Sequence, residues 1–309
     1  MSEMLLDRES LVEKGYMPVG VDIGYSDFEQ AMERYLAFLE IDEKYHDATR
    51  FYAGGNVNYD FGQFRRQPNT ESHRGVVLDN KDIFHFGSQT RQVVEARLTG
   101  ALPKDMKDFL DIAEDIFWES HRSKRAALEV IDSYQAGLVG ICLPETGEIR
   151  DTVRFIAYYP SDDGILAKGH FDRSMATIAL AESHPGLRIA PGQNGLHIDA
   201  DEVYLKNLEA NLQNVEYAEG QGKFFLGAGW NRLPEYYRFG NHDLPLGWHD
   251  VVKTDQQIND QLMRWAIIHF INPHAEFVTA NTLVPTPAET RPYKQLGRIT
   301  IPRSELARI

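Results

Sequence analysis

The sequence predicts a mainly β protein with flanking helices, an α+β chain with a helical N-terminal part and a C-terminal part folded as a sandwich or jelly roll. Three observations carry this. From about Thr152 onward, short apolar runs are separated by Gly, Pro, Asn and Asp, the punctuation of an all-β architecture. Between Asp105 and Ile131 one apolar stripe recurs at helical spacing. Neither an internal repeat, a low-complexity tract nor a Gly/Ser linker divides the 309 residues. One continuous domain, 1–309, is therefore expected, with 1–150 as its strand-and-helix part and 151–309 as its β core.

Along the chain, YMPVGVDI is rich in β-branched residues and reads as a short strand. In residues 26–39, Phe28, Met32, Tyr35, Leu36 and Leu39 fall at helical spacing, with Ser26 and Asp27 as N-cap candidates. Residues 51–75 mix Gly, Asn, Pro and Ser with aromatics and read as a long irregular segment. The longest helix starts at Asp105: Met106, Phe109, Leu110, Ala113, Ile116 and Phe117 form its stripe, and Ala127, Leu128 and Ile131 extend it. Pro103 precedes it and Gly137 follows it. Phe109, Phe117 and Trp118 are expected in its core. The runs TVRFIAYYP, ATIALAES, GLRIAP, NGLHIDA, KFFLGAG, RWAIIHFI and RITIPR supply the strands.

Charge narrows the functions available. The 32 Lys+Arg stand against 46 Asp+Glu, a net charge of −14, which repels phosphate backbones and argues against nucleic acid as a partner. The single cysteine, Cys142, excludes an intramolecular disulfide framework and a Cys-rich zinc module, and is expected as a small buried hydrophobe. The opening MSEMLLDRES has acids where a signal peptide needs a basic flank, and no apolar stretch approaches a membrane span. A cytoplasmic protein acting on a small molecule is expected, with no membrane partner; oligomeric state is not legible.

The chemistry-bearing residues lie in the β part. In KGHFDRSMATIAL, His170 and Asp172 stand at i and i+2, so on a strand both leave one face. A transition-metal site there needs a further nitrogen ligand, from among His184, His197, His242, His249, His269 and His274. His249 sits in GWHDVV, after a glycine-rich turn region. In RWAIIHFINP one strand face carries Arg264, Ala266 and Ile268, while Trp265 and Ile267 point the other way. A buried arginine needs an anion. A carboxylate satisfies it bidentately, whether from a ligand or from a protein acid such as Glu276.

At these residues the chain resembles the isopenicillin N synthase-like branch of the Fe(II)/2-oxoglutarate-dependent oxygenases. LVEKGYMPVGV is similar to that family's opening strand, HRGVVLDNKDIFHFG to the segment before its long helix, and TVRFIAYYP to the strand leading to its metal motif. GHFDRSMATIALAESHPGLRI resembles its H-x-D strand and the stretch after it, and FFLGAGWNRLP its Gly-rich turn. WHDVV and RWAIIHFINP occupy the places of its distal histidine and cosubstrate arginine.

The resemblance implies a double-stranded β-helix (jelly-roll) core and a facial triad of His170, Asp172 and His249 holding Fe(II). It implies that Arg264 binds the distal carboxylate of 2-oxoglutarate. Two imidazoles and one carboxylate leave positions open for a bidentate 2-oxo acid and O₂. Decarboxylation of 2-oxoglutarate to succinate would then drive hydroxylation or desaturation of a small molecule. Family members that halogenate lack the carboxylate, so Asp172 argues against halogenation. One departure stands out: the family commonly has a hydroxyl two residues after the arginine, and here that position is Ala266. Another partner is then required for the cosubstrate, Tyr158 or Tyr159. The spacing from His170 to His249 is long for the family, and DEVYLKNLEANLQNVEYAEGQG, 201–222, reads as a polar insertion.

Other readings stay open. An Fe(II)/O₂ oxidase of the same fold that does without 2-oxoglutarate fits Ala266, and a non-catalytic jelly-roll binding protein is the alternative from another class. Arg154 is a substrate contact or a surface arginine. The aromatics from Phe51 to Phe64 cover the barrel mouth or pack on the helices, and Arg65 and Arg66 would meet an anionic substrate near that cover.

Overall fold

The computed structural model describes residues 8–52, 60–66, 71–72, 75–76, 80–134, 142–143, 149–159, 164–192, 202–229, 244–254, 257 and 263–273. The first half comprises α1 (Arg8–Lys14), β1 (Met17–Gly20), α2 (Tyr25–Leu39), α3 (Glu43–Thr49), β2 (Phe51–Tyr52) and β3 (Asp60–Arg66). The short pair β4 (Glu71–Ser72) and β5 (Gly75–Val76) precedes β6 (Lys81–Phe86), α4 (Thr90–Arg97) and α5 (Lys104–Tyr134). Then come β7 (Thr152–Tyr158), β8 (Ile165–His170), β9 (Ala176–Glu182), β10 (Leu187–Gly192) and α6 (Glu202–Ala210). The last strands are β11 (Gln213–Asn214), β12 (Gln221–Leu226), β13 (Leu246–Val252) and β14 (Arg264–Ile271).

The strands make a jelly roll. One layer runs β1-β12-β9-β14-β7-β6-β3-β2 with antiparallel neighbours throughout. The other runs β8-β13-β10-β11, also antiparallel. A parallel contact, Leu226↔Leu246, joins the layers, closing the sheet on itself as such folds do to limit open edges. Among the described residues no helix is long and apolar enough to cross a membrane.

Strand alternation divides the core in two. Val153, Phe155, Ala157, Trp265, Ile267 and Ile271 face α2 and α5. Ile156, Tyr158, Ile189, Phe225 and Val251 share a second cluster between the layers. The helices brace the back of the larger layer: the Phe109 ring meets Tyr35 at 5.1 Å, Phe84 at 4.8 Å and Phe155 at 5.3 Å. Beneath α5 lies a buried ionic node in which Asp151 meets Lys124, His121 and His269.

Several expectations change on contact with the structure. The N-cap of α2 is Gly24, not Ser26 or Asp27; Asp27 acts from inside the first turn, its Oδ2 accepting the Gly24 N–H at 3.1 Å. Trp118 is 40% exposed and not core, because one step beyond Phe117 turns it off the buried stripe. The segment 51–75 is not irregular throughout. It contains β3, which pairs with β6 from Gly62↔His85 to Arg66↔Lys81. Its strand pattern is hidden by polar residues that have internal partners: Gln63 and Arg65 both hydrogen-bond Asp82, at 2.7 and 3.3 Å. Phe51 and Phe61 stack at 4.8 Å beside Val93, so these aromatics pack rather than form a cover. Residues 201–222 contain α6 and the edge strand β11, with Leu208 buried against Ala190 and Trp248. Cys142 is buried, and burial pushes its thiol up to about 12, as befits an inert hydrophobe. Gly137, NGLHIDA and RITIPR lie outside the described residues.

Candidate metal centre

His170 closes β8, Asp172 follows two residues later, and His249 sits in the middle of β13 directly across from His170 in register. Their ligand atoms lie within 4.8 Å of one another, the one such group of three among the described residues. Asp172 Oδ1 is 3.6 Å from His170 Nε2 and 3.7 Å from His249 Nε2. Each imidazole is turned by its other nitrogen. His170 Nδ1 donates to the Lys168 carbonyl at 2.7 Å and His249 Nδ1 to the Gly247 carbonyl at 3.0 Å. That tautomer leaves both Nε2 lone pairs facing the carboxylate, the state a metal ligand requires. The donor set is two nitrogens and one oxygen, with Asp172 and His249 buried and His170 partly exposed, and it fits a divalent transition metal with open positions.

Residues not singled out from the sequence hold the carboxylate. Thr177 donates to Asp172 Oδ2 at 2.7 Å, and Ser174 Oγ lies 3.1 Å from the Thr177 hydroxyl. The Ala228 N–H donates to the Asp172 carbonyl at 2.7 Å. The glycines of GAG let the backbones approach this closely: a Cβ on Gly227 would stand 2.2 Å from the Ser174 carbonyl oxygen. Phe225 packs on the His249 ring at 4.9 Å. A hydroxyl five residues after the aspartate and the glycines of the turn are the signals that a sequence reading had available.

The electrostatics follow from this packing. Burial pushes the Asp172 carboxyl up, but His249, His170 and the Thr177 hydroxyl outweigh it and hold the group well below the usual carboxylate range. Burial lowers His249 to about 4 despite the attraction of Asp172, so the ring is neutral at pH 7. Of the other histidines, His184 bonds Ser183 at 2.9 Å and His269 lies at Asp151 under α5, away from this cluster. His197, His242 and His274 lie outside the described residues.

Arg264 opens β14 on the side of Tyr158, its register partner on β7, with the guanidinium 5.4 Å from the Tyr158 ring. Its anion is already present. The Nη2 group is paired with Glu182 at the end of β9, and Nε donates to the His184 carbonyl at 3.2 Å. The protein acid is Glu182; Glu276 lies outside the described residues. Arg264 is 2% exposed and Glu182 8%, and Arg264 Nη1 is buried without a hydrogen-bond partner. Tyr159 is committed elsewhere, donating to Asp82 at 2.8 Å beside Arg65. Arg154 is partly buried and engaged: its Nε donates to His85 at 2.7 Å and its guanidinium lies over the Phe270 ring at 4.4 Å. Arg65 is paired with Asp82, and the Arg66 side chain lies outside what the structure describes.

No protein-family model and no curated protein matches this chain. Solved structures do. A candidate 2OG-Fe(II) oxygenase family protein from Caulobacter crescentus is 16% identical, with 90% of this chain and 87% of that one covered and a TM-score of 0.59. A full-length Neurospora crassa protein, solved with alpha-KG and thymine, is 14% identical over 86% of this chain and 78% of that one, with a TM-score of 0.58. The Arabidopsis thaliana dioxygenase for auxin oxidation 1, solved with 2-oxoglutarate, is 14% identical over 90% and 93%, with a TM-score of 0.53. The chain has the jelly-roll fold of the Fe(II)/2-oxoglutarate oxygenases. At such identities the likeness carries the fold and no further.

Proposed function

We propose that this protein is a non-haem Fe(II)- and 2-oxoglutarate-dependent oxygenase that hydroxylates or desaturates a small molecule. The observation that carries the reading is the convergence of His170, Asp172 and His249, with both rings turned so that Nε2 faces the shared point. Solved neighbours of the same fold hold 2-oxoglutarate, and in one case thymine. The isopenicillin N synthase-like likeness of the motifs extends the proposal to residues 1–309 as one oxygenase unit.

In this reading His170, Asp172 and His249 hold the iron, which when bound supplies O₂ activation coupled to decarboxylation of 2-oxoglutarate to succinate and CO₂. The remaining work belongs to the chain. Thr177 fixes the Asp172 carboxylate, Phe225 covers one face of His249, and the carbonyls of Lys168 and Gly247 keep the imidazole protons away from the ligand side. Arg264, beside Tyr158, is the cationic anchor for the distal carboxylate of 2-oxoglutarate. Retention of Asp172 favours hydroxylation or desaturation over halogenation.

Anaerobic titration with Fe(II) and then 2-oxoglutarate tests this. A weak visible charge-transfer band of the chelated 2-oxo acid is expected. It should be lost in His249→Ala and weakened in the double variant Arg264→Ala/Glu182→Gln, which removes the anchor without leaving a buried carboxylate unpaired. The Arg264–Glu182 pair favours one second reading, an Fe(II)/O₂ oxidase that needs no 2-oxo acid. Iron binding and O₂ uptake with no such band would select it.

A further inference from the structure

The basic group that anchors the cosubstrate in the reading above has a resident carboxylate of its own. Glu182 is the register partner of Ala266 across β9 and β14, and its Oε2 pairs with Arg264 Nη2. Its presence on this face comes from a β-bulge. Ile268 pairs with Ala179 but Ile267 pairs with Ala181, so β9 holds one extra residue there. Counted by strict alternation from Thr177, which faces Asp172, residue 181 would turn inward and 182 outward; the bulge reverses this. The carboxylate therefore stands beside Ala266 on the neighbouring strand, a position with no side-chain donor to offer a ligand.

We propose that Glu182 is the internal occupant of the Arg264 site, and that a 2-oxo dicarboxylate enters by displacing it from Nη2 with uptake of one proton by Glu182. This rests on the cosubstrate reading above. Two carboxylates against one guanidinium leave an uncompensated buried charge, and neutralising one of them removes it. Once protonated, the Glu182 carboxyl is itself an O–H donor, and supplies from β9 the hydrogen bond that the Ala266 methyl cannot. The proton comes from solvent, and no bond other than that O–H is made or broken. Arg264 Nη1, buried and unpartnered, is a second donor ready for the incoming carboxylate.

The groups around Glu182 leave it as the one to take the proton. Arg264 faces it from β14, and Tyr217 and Tyr25 approach from the segment after β11 and from α2. Tyr158 lies over Arg264 from β7, and His184 contributes its carbonyl. Lys81 and Lys223 lie 5.1 and 5.8 Å from the Tyr158 and Tyr217 rings respectively. Burial pushes both the Tyr217 and Tyr25 hydroxyls upward, so neither is ionised at neutral pH. Burial also raises the Glu182 carboxyl, against the opposing pull of Arg264 and of the Leu187 and Gly186 N–H groups.

The test is anaerobic calorimetry of 2-oxoglutarate binding to the Fe(II)-loaded protein, in buffers of different ionisation enthalpy, between pH 6.5 and 8. The wild type should take up about one proton per ligand, and its Kd should rise by about tenfold per pH unit. Glu182→Gln should take up none, show a flat Kd across the range, and bind more tightly than wild type at pH 8. Binding to the wild type without proton uptake, or equal uptake by Glu182→Gln, overturns the role of Glu182 and leaves the oxygenase reading standing. If both proteins bind Fe(II) but neither binds 2-oxoglutarate, the cosubstrate reading falls and this inference falls with it. Absence of proton uptake by the wild type overturns the role of Glu182 even if the variant misfolds.

Discussion

Thr177→Val asks whether the buried hydroxyl beside Asp172 sets the metal affinity. The substitution keeps the β-branched shape on β9 and removes one donor. In the native protein that donor reaches Asp172 Oδ2 at 2.7 Å, which leaves Oδ1 directed at the Nε2 atoms of His170 and His249. A hydrogen bond to a charged acceptor contributes about 1.5–3 kcal/mol. At about 1.4 kcal/mol per tenfold, loss of the bond translates into about 10- to 100-fold weaker binding, the range found for partners of metal ligands. Fe(II) or Co(II) calorimetry under argon measures it, with urea unfolding of the metal-free protein as the control for folding. Ser174→Ala, which removes a group 3.1 Å from Thr177 and not from the carboxylate, should cost less. A Thr177→Val protein that is as stable as wild type and binds metal within about threefold of it would refute the reasoning, since a free carboxylate would then be as good a ligand as a fixed one.

Two further outcomes follow from buried charge. Lys124→Met leaves Asp151 buried beside His269 without its ammonium partner, and should destabilise the fold by about 3–5 kcal/mol. Lys124→Met/Asp151→Asn should recover most of that in urea unfolding, and equal stability of the single variant and wild type would contradict the assignment. In the metal-free protein, burial depresses His249 from 6.5 to about 4. The unfolded chain therefore takes up a proton that the folded chain refuses. The stability is whole above pH 6.5 and lost as the pH falls toward 4, by up to about 3 kcal/mol from this group. The decline should be shallower in His249→Gln; identical pH profiles would rule His249 out as its source.

What can be read from the residues is whatever local periodicity or spacing expresses. The stripe from Met106 to Ile131 gives α5 because a helix buries the same face every three or four residues. The runs TVRFIAYYP, ATIALAES, GLRIAP, KFFLGAG and RWAIIHFI give strands of the jelly roll, and alternation alone places Arg264, Ala266 and Ile268 on one face of β14. His170 and Asp172 are close in sequence and so close in space. The strand β3 is not legible in this way, because its polar residues are satisfied through Asp82, a partner on another strand. Trp118 misleads for the opposite reason, being an aromatic that neighbours a core position without sharing its burial.

The tertiary structure decided which distant residues meet. It set His249 opposite His170 through the register of β8 and β13, where the other downstream histidines compete on composition alone. It also gave Arg264 a counterion that no spacing announces. A single extra residue in β9 turns Glu182 toward Arg264, and the effect of a bulge on every side chain beyond it depends on pairing with β14, not on the sequence of β9. Local sequence fixes which face a side chain leaves by within one uninterrupted element. Register and bulges, which arise between elements, fix what that side chain then finds.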